Sequence, residues 1–246
     1  MKIAVAGGTG VVGRHTVDAL RAAGHDAVVL TRSRGVDLVT GKGLDAALTD
    51  VDAVIDVASI ETLKAAAAIE FFTAATGNLV SAAADAGVAH VVLLSIVGID
   101  RIPYDYYAGK VAQEKVVEQS PVPWTILRAT QFHEFAAQMF DRAKVGPLHL
   151  APNARTQPVA AREVGDRLAE LAAGEPQGRV RDFAGPREEQ LAEMIRAYAR
   201  SEGYRGSIPA LNIPGPQMAG MRAGDALPGP DAVLGRQTFA EWLAAH

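Results

Sequence analysis

The chain has 246 residues, 49% of them apolar, and a formal net charge of -4 at pH 7, enough for one well-buried core and with no basic field to hold nucleic acid or an anionic membrane surface. It contains no cysteine, which excludes disulfides, thiolate nucleophiles and cysteine-ligated metals. The opening MKIAVAGGTG turns to glycine too early for a signal peptide, and no apolar run reaches the roughly 18 residues of a membrane span, so a soluble cytoplasmic protein is expected.

Strands and helices alternate along the chain. KIAVA (2 to 6) is a short apolar strand. The glycines after it lead into a helix whose stripe is Val12, Val17 and Leu20 and which should stop at Gly24. DAVVLT (26 to 31) is a second strand, VDLVT (36 to 40) a brief third, LDAALTDV a short crossover helix and DAVIDVAS (52 to 59) a fourth strand. The alanine-rich stretch from Leu63 to Ala86 is helical in pattern, and HVVLLSIVG forms a fifth strand. A helix over 106 to 119, a sixth strand over 121 to 129 and a helical stretch over 132 to 144 follow. Strands this apolar on both faces belong between helix layers.

Such alternation with short joins predicts an α/β fold, a Rossmann-type doubly wound parallel sheet whose ligands lie beyond the carboxyl ends of its strands. The site is therefore expected around Gly7, Thr31, Ala58, Ser95 and Ala129. Residues 1–150 read as an NAD(P)-binding core. Residues 151–246, with helices at 162 to 173 and 187 to 201 and a Pro/Gly-rich stretch from Pro209 to Pro230, read as a small C-terminal substrate-binding lobe packed on the same domain.

GGTGVVGR carries Gly7, Gly10 and Gly13 between the first strand and the first helix. These positions suit a tight turn, backbone approach to a diphosphate, and close helix-to-sheet packing. Thr9 completes the loop, and Val11 and Val12 open the helix, whose free N–H groups and partial positive charge favour phosphate. The P-loop ending is absent, since Arg14 follows Gly13. At the end of the second strand an NAD site usually places an acidic residue, but here the chain reads Thr31, Arg32, Ser33, Arg34. An arginine fork with a serine hydroxyl suits a 2'-phosphate, so NADP is expected, NADPH being preferred over NADH.

YDYYAGK (104 to 110) follows the fifth strand, which carries Ser95. Lys110 lies four residues after Tyr106 and three after Tyr107, on a shared helix face that leaves out Tyr104. An adjacent ammonium lowers a phenol's pKa, so Tyr106 could deliver a proton to a carbonyl oxygen that Ser95 holds by a hydrogen bond. The spacing by itself fits packing equally well.

Together AVAGGTGVVGR, DAVIDVAS, VVLLSIVGIDRIPYDYYAGKVAQEKVV and PWTILRATQFHEF resemble an atypical short-chain dehydrogenase/reductase of the NmrA-like, NAD(P)H-binding group. The resemblance implies that Tyr106 and Lys110 are its Y-x-x-x-K pair, with Ser95 its serine, and that Lys110 also contacts the nicotinamide ribose. It further implies that Ala129 and Thr130 border the cofactor and that Gln131, Phe132 and His133 build the substrate pocket. Phe132, Phe135, Met139 and Phe140 recur at helical spacing, which marks core or an apolar substrate wall, and Met218 and Met221 are candidates for a cover.

His133-Glu134 lacks the second histidine of a zinc helix, because residue 137 is alanine, and no other histidine spacing suits a metal. Two functions are compatible with the sequence. One is an NADPH-dependent reductase of a small, largely apolar carbonyl, quinone or enone; the other is an NADP(H)-binding redox regulator that signals to a protein partner. The intact Ser95/Tyr106/Lys110 set favours the enzyme, and nothing in the sequence sets an oligomeric state.

Overall fold

A computed structural model describes every residue except Ala143, Gly146 and Pro147, and it resolves two compact units that interleave along the chain. The first comprises Met1–Ile96, Pro103–Arg128 and Arg162–Arg181; the second comprises Val97–Ile102, Ala129–Ala161 and Asp182–His246. No single cut near residue 150 separates them.

The first unit is built on five strands: β1 (Lys2–Ala6), β2 (Asp26–Leu30), β3 (Ala53–Asp56), β4 (His90–Ile96) and β5 (Trp124–Ala129), the last running into the second unit at Ala129. Their order is β2-β1-β3-β4-β5. Ile3 pairs with both Ala27 and Ala53, and Val54 with Val91, all in parallel register. β3 is buried along its whole length and β4 over its first six residues, as expected of strands covered on both faces. The helices are α1 (Val11–Ala22), the short α2 (Leu44–Ala47), α3 (Ala65–Asp85) and α4 (Asp105–Glu118). α1 buries Val12, Thr16, Val17 and Leu20 and ends before Gly24, as its apolar stripe predicts.

The expected strand over 36 to 40 does not form. Asp37 instead accepts the Val39 and Thr40 amides at 2.9 and 3.3 Å, a side-chain turn that competes with the ladder, while Val36 alone is buried. Arg32–Arg34 form one short 3-10 turn.

After α5 (Phe135–Arg142), which is shorter than the predicted 132 to 144, Ala143 lies outside the described residues. α6 (Ala161–Ala173) returns the chain to the first unit. Gly165 there approaches the His15–Thr16 backbone so closely that a Cβ would sit 2.8 Å from His15 C and Thr16 N. Gly178–Arg179 then pairs in parallel with Thr125–Ile126 of β5.

In the second unit Phe183 pairs in parallel with Ala129 and Val233, and the helices are α7 (Leu191–Ser201), α8 (Pro216–Ala223) and α9 (Phe239–Ala244). Ala136, Met194, Phe239 and Trp242 form a core cluster there. The Pro209 to Pro230 stretch is ordered, with Ala210–Leu211 paired on Ala151–Pro152 and then α8. Met221 is buried rather than poised as a cover, and Met218 is half-buried. No helix among the described residues is long and apolar enough to cross a membrane.

Candidate active site

The glycine loop is shaped by contacts that leave no room for side chains. Gly7 has φ +79° and faces the turn after β3, where a Cβ would come within 2.7 Å of Val57 O and 2.8 Å of Ala58 Cα. A Cβ on Gly13 would collide with the Gly7 carbonyl. Gly10 N–H donates to Gly7 O at 2.9 Å and caps α1, with no side-chain cap and no acidic residue in the first turn. The α1 N-terminus is thereby left open to an anion, with Val11 and Val12 in its first turn.

Beside the loop lies a cleft of about 460 Å³ lined in part by Thr9, Arg14, Thr31, Ser33 and Arg34. Thr31 Oγ1 and Ser33 Oγ are 3.1 Å apart. Arg32, the arginine expected to lead here, is not in the lining, whereas Arg34 and Arg14 are. Arg14 follows the last loop glycine, and sequence reasoning used it only to rule out a P-loop.

The Tyr106–Lys110 pair does not form as expected. Tyr106 Oη is hydrogen-bonded to Ser59 Oγ at 2.8 Å. Lys110, fully inside, donates from Nζ to Leu94 O at 2.7 Å and to Gln113 Oε1. Phe72 meets both, its ring 5.5 Å from that of Tyr106 and 4.8 Å from Lys110 Nζ. Burial pulls the Lys110 ammonium down to about 8, with the Asp56 and Glu114 carboxylates opposing. The Tyr106 phenol is raised above its ordinary value, not lowered. Burial is the largest cause, the Ser59 hydrogen bond pulls the other way, and the Asp56 charge adds to the rise. Ser95 Oγ is buried with no hydrogen-bond partner among the described residues, so it offers no accessible donor to a substrate oxygen.

The hub of this region is Asp56, which the sequence reading passed over. Its Oδ1 accepts the Ala58 amide at 3.0 Å, and its Oδ2 accepts Thr76 Oγ1 at 2.8 Å and Gln113 Nε2 at 3.0 Å. The end of β3, α3 and α4 are thus joined through one carboxylate. The only trace in the sequence is an acidic residue closing an apolar strand, DAVIDVAS. Ser59 stands three residues further on, next to Ala58, where the glycine loop makes contact. Asp105, immediately before Tyr106, has φ +48°, a left-handed conformation that strains a non-glycine residue.

The residues expected after the sixth strand fall in the second unit. Thr130 is buried, its N–H donating to Phe183 O at 3.0 Å and its hydroxyl to Gln157 O at 2.6 Å. Gln131 accepts Thr156 Oγ1 at 2.7 Å. His133 is a core residue: its Nε2 lies 3.1 Å from Gln237 O and its ring 5.9 Å from both Phe239 and Trp242, with burial lowering its pKa to about 4. Only Phe132 and Met139 of the expected substrate set keep partly exposed side chains.

Compared with known families, residues 7–173 match the NAD(P)H-binding family. The chain belongs to that family. This agrees with the NmrA-like, atypical short-chain dehydrogenase/reductase resemblance carried by its motifs. No curated protein sequence matches the chain. Among solved structures it is similar to an NADPH-dependent quinone oxidoreductase complexed with NADPH from Escherichia coli, at 17% identity over 99% of both chains with TM-score 0.74. It is similar also to a UDP-N-acetylglucosamine 4-epimerase from Bacillus cereus, at 19% identity over 100% of this chain and 96% of that one with TM-score 0.70. A third similar structure is a short-chain dehydrogenase/reductase superfamily protein from Agrobacterium tumefaciens with bound NAD, at 16% identity over 100% and 95% with TM-score 0.71. At these identities the shared property is the fold.

For an NAD(P)H-binding protein the geometry of the first unit fits the cofactor. The loop has no side chain where a diphosphate would approach, the helix end is uncapped, and the neighbouring cleft carries Arg14, Arg21 and Arg34 with the hydroxyls of Thr9, Thr31 and Ser33.

Proposed function

We propose that the protein is an NADPH-dependent oxidoreductase that reduces a small, largely apolar carbonyl, quinone or enone in the cytoplasm, with Tyr106 as the acid. The observation that carries this reading is the Tyr106 phenol, kept protonated by its surroundings and hydrogen-bonded to Ser59, the residue after the one that touches the glycine loop. On this reading Tyr106 would serve as a proton donor beside the cradle for the dinucleotide. The cofactor, when bound, supplies a hydride. Gly7, Gly10 and Gly13 with the first turn of α1 would hold its diphosphate, and Arg14, Ser33 and Arg34 its 2'-phosphate.

Tyr106 would donate its proton to the substrate oxygen as charge develops there. Lys110, bonded to Leu94 and Gln113, anchors α4 against β4 and so fixes where Tyr106 stands. The similar Escherichia coli fold, described as an NADPH-dependent quinone oxidoreductase, supports a quinone among the substrates to try.

A second reading, an NADP(H)-binding regulator without turnover, is favoured by the sealed Ser95 hydroxyl and by Lys110 being committed to protein partners. NADPH oxidation against a panel of quinones, ketones and enones separates the two. Turnover that falls roughly 100-fold or more in Tyr106→Phe, with NADPH affinity kept, supports the enzyme. Tight NADPH binding with no turnover on the panel refutes it in favour of the regulator.

A further inference from the structure

We infer that Ser59, rather than Ser95, is the hydroxyl that works with Tyr106, positioning the phenol and returning a proton to it from solvent. This inference rests on the reductase reading above. Four features of the first unit lead to it. Ser59 Oγ is 2.8 Å from Tyr106 Oη. Ser59 is exposed while Tyr106 is half-buried, so the pair links water on one side to a shielded phenol on the other. Ser95 Oγ is shut away from solvent and has no hydrogen-bond partner among the described residues. Lys110, the residue that would otherwise recharge the phenol, is occupied by Leu94 O and Gln113 and meets the Phe72 ring that also touches Tyr106.

The position of Ser59 is prepared by its surroundings. The Ala58 amide is held by Asp56, and Thr76 and Gln113 hold the same carboxylate, so the turn presenting Ser59 is fixed from two helices. On the other side Asp105 adopts a left-handed backbone immediately before Tyr106. Strain of this kind persists only where the surrounding structure enforces it.

The proton inventory closes. As the substrate carbon receives a hydride from NADPH, Tyr106 gives its proton to the substrate oxygen, and the electron pair of the broken O–H bond stays on the phenolate. Ser59 passes its own proton to that phenolate while taking one from water in the same concerted movement, so no free serine alkoxide forms. Substrate is reduced, NADPH is oxidised, and one proton is drawn from solvent through two hydroxyls.

The test uses Ser59→Ala and Ser59→Thr in the full chain, with Tyr106→Phe as reference. In protein without cofactor, phenolate absorbance is followed against pH and the Tyr106→Phe curve is subtracted to isolate Tyr106. Ser59→Ala should move that titration to higher pH, because the Ser59 hydrogen bond is the contact that lowers it, and Ser59→Thr should leave it near the parent curve. In turnover, Ser59→Ala should lower kcat roughly tenfold with KM nearly unchanged, less than the loss from removing the acid itself, and Ser59→Thr should recover most of it. An unmoved Tyr106 titration in Ser59→Ala, or full kcat in Ser59→Ala, overturns the inference while leaving the reductase reading in place. A parent protein that turns over nothing on the panel brings down both.

Discussion

Gly109 sits in the second turn of α4, where alanine would be the better helix former by about 1 kcal/mol. Propensity therefore predicts that Gly109→Ala stabilises the protein. Packing predicts the reverse: a Cβ at 109 would lie 2.6 Å from Ala68 Cβ, 2.7 Å from Ala68 C and 2.8 Å from Phe72 Cδ2. Real Cβ contacts are not that short, and one of the atoms in the way is α3 backbone, which cannot rotate aside. Overpacking of this kind costs about 1–3 kcal/mol, so after the propensity gain of about 1 kcal/mol the expected net effect is a loss of up to about 2 kcal/mol, a fall in Tm of up to roughly 8 °C for a chain of this size. Separating α3 from α4 should also disturb the Phe72 contact with Lys110 and Tyr106, so NADPH-dependent turnover should fall alongside stability. Urea unfolding monitored by circular dichroism gives the first quantity. A Gly109→Ala protein more stable than the parent, as propensity alone predicts, would refute the claim that this glycine is a packing residue.

Two further expectations concern the cofactor and pH. Arg34→Ala and Arg14→Ala should each raise the Kd for NADPH roughly tenfold and leave that for NADH nearly unchanged, since a charge-assisted hydrogen bond is worth about 1.5–3 kcal/mol. Arg32→Ala, outside the cleft lining, should do less, and an equal loss for both cofactors would remove the case for NADP. His133 is lowered to about 4 in the folded protein from an ordinary 6.5, so between these values the unfolded chain binds the extra proton. Stability due to keeping it neutral is complete above about 6.5 and is lost as pH falls through about 4. His90, also lowered, acts in the same direction. Tm measured across this window should fall with acid, and His133→Phe should flatten the slope; an unchanged slope would mean His133 is not the buried neutral group described above.

How much of this was legible in the sequence follows from how local each feature is. The strands of the first unit and the helices at Val11, Ala65 and Asp105 could be read because apolar runs and glycine stops are short-range signals. Residues 36 to 40 misled because one buried valine beside alternating residues imitates a strand, whereas Asp37 bonding its own following amides is decided by a side chain. At the site, the spacing of Tyr106 and Lys110 was correctly read as one turn, but spacing does not say what each side chain meets. Lys110 turns in to Leu94 and Gln113, and Tyr106 meets Ser59, 47 residues away in sequence. Asp56 and Gln113 likewise become one network only when β3, α3 and α4 come together. The same holds for His133, whose place between Phe239 and Trp242 depends on a helix more than a hundred residues downstream.

The return of residues 162–181 to the first unit has a consequence for dissecting the gene. A fragment ended at residue 150 would retain the glycine loop and Tyr106 but lose α6, baring the flank of α1 that Gly165 meets, together with the strand that pairs with the outer part of β5. His90 would lose the Gly174 carbonyl at 3.1 Å, and the buried Glu114 would keep Arg128 but lose Arg179. The smallest self-sufficient nucleotide-binding piece is therefore not a contiguous reading frame. Excising it intact requires rejoining the chain across both internal segments that visit the other unit, Val97–Ile102 and Ala129–Ala161, by internal deletion rather than truncation.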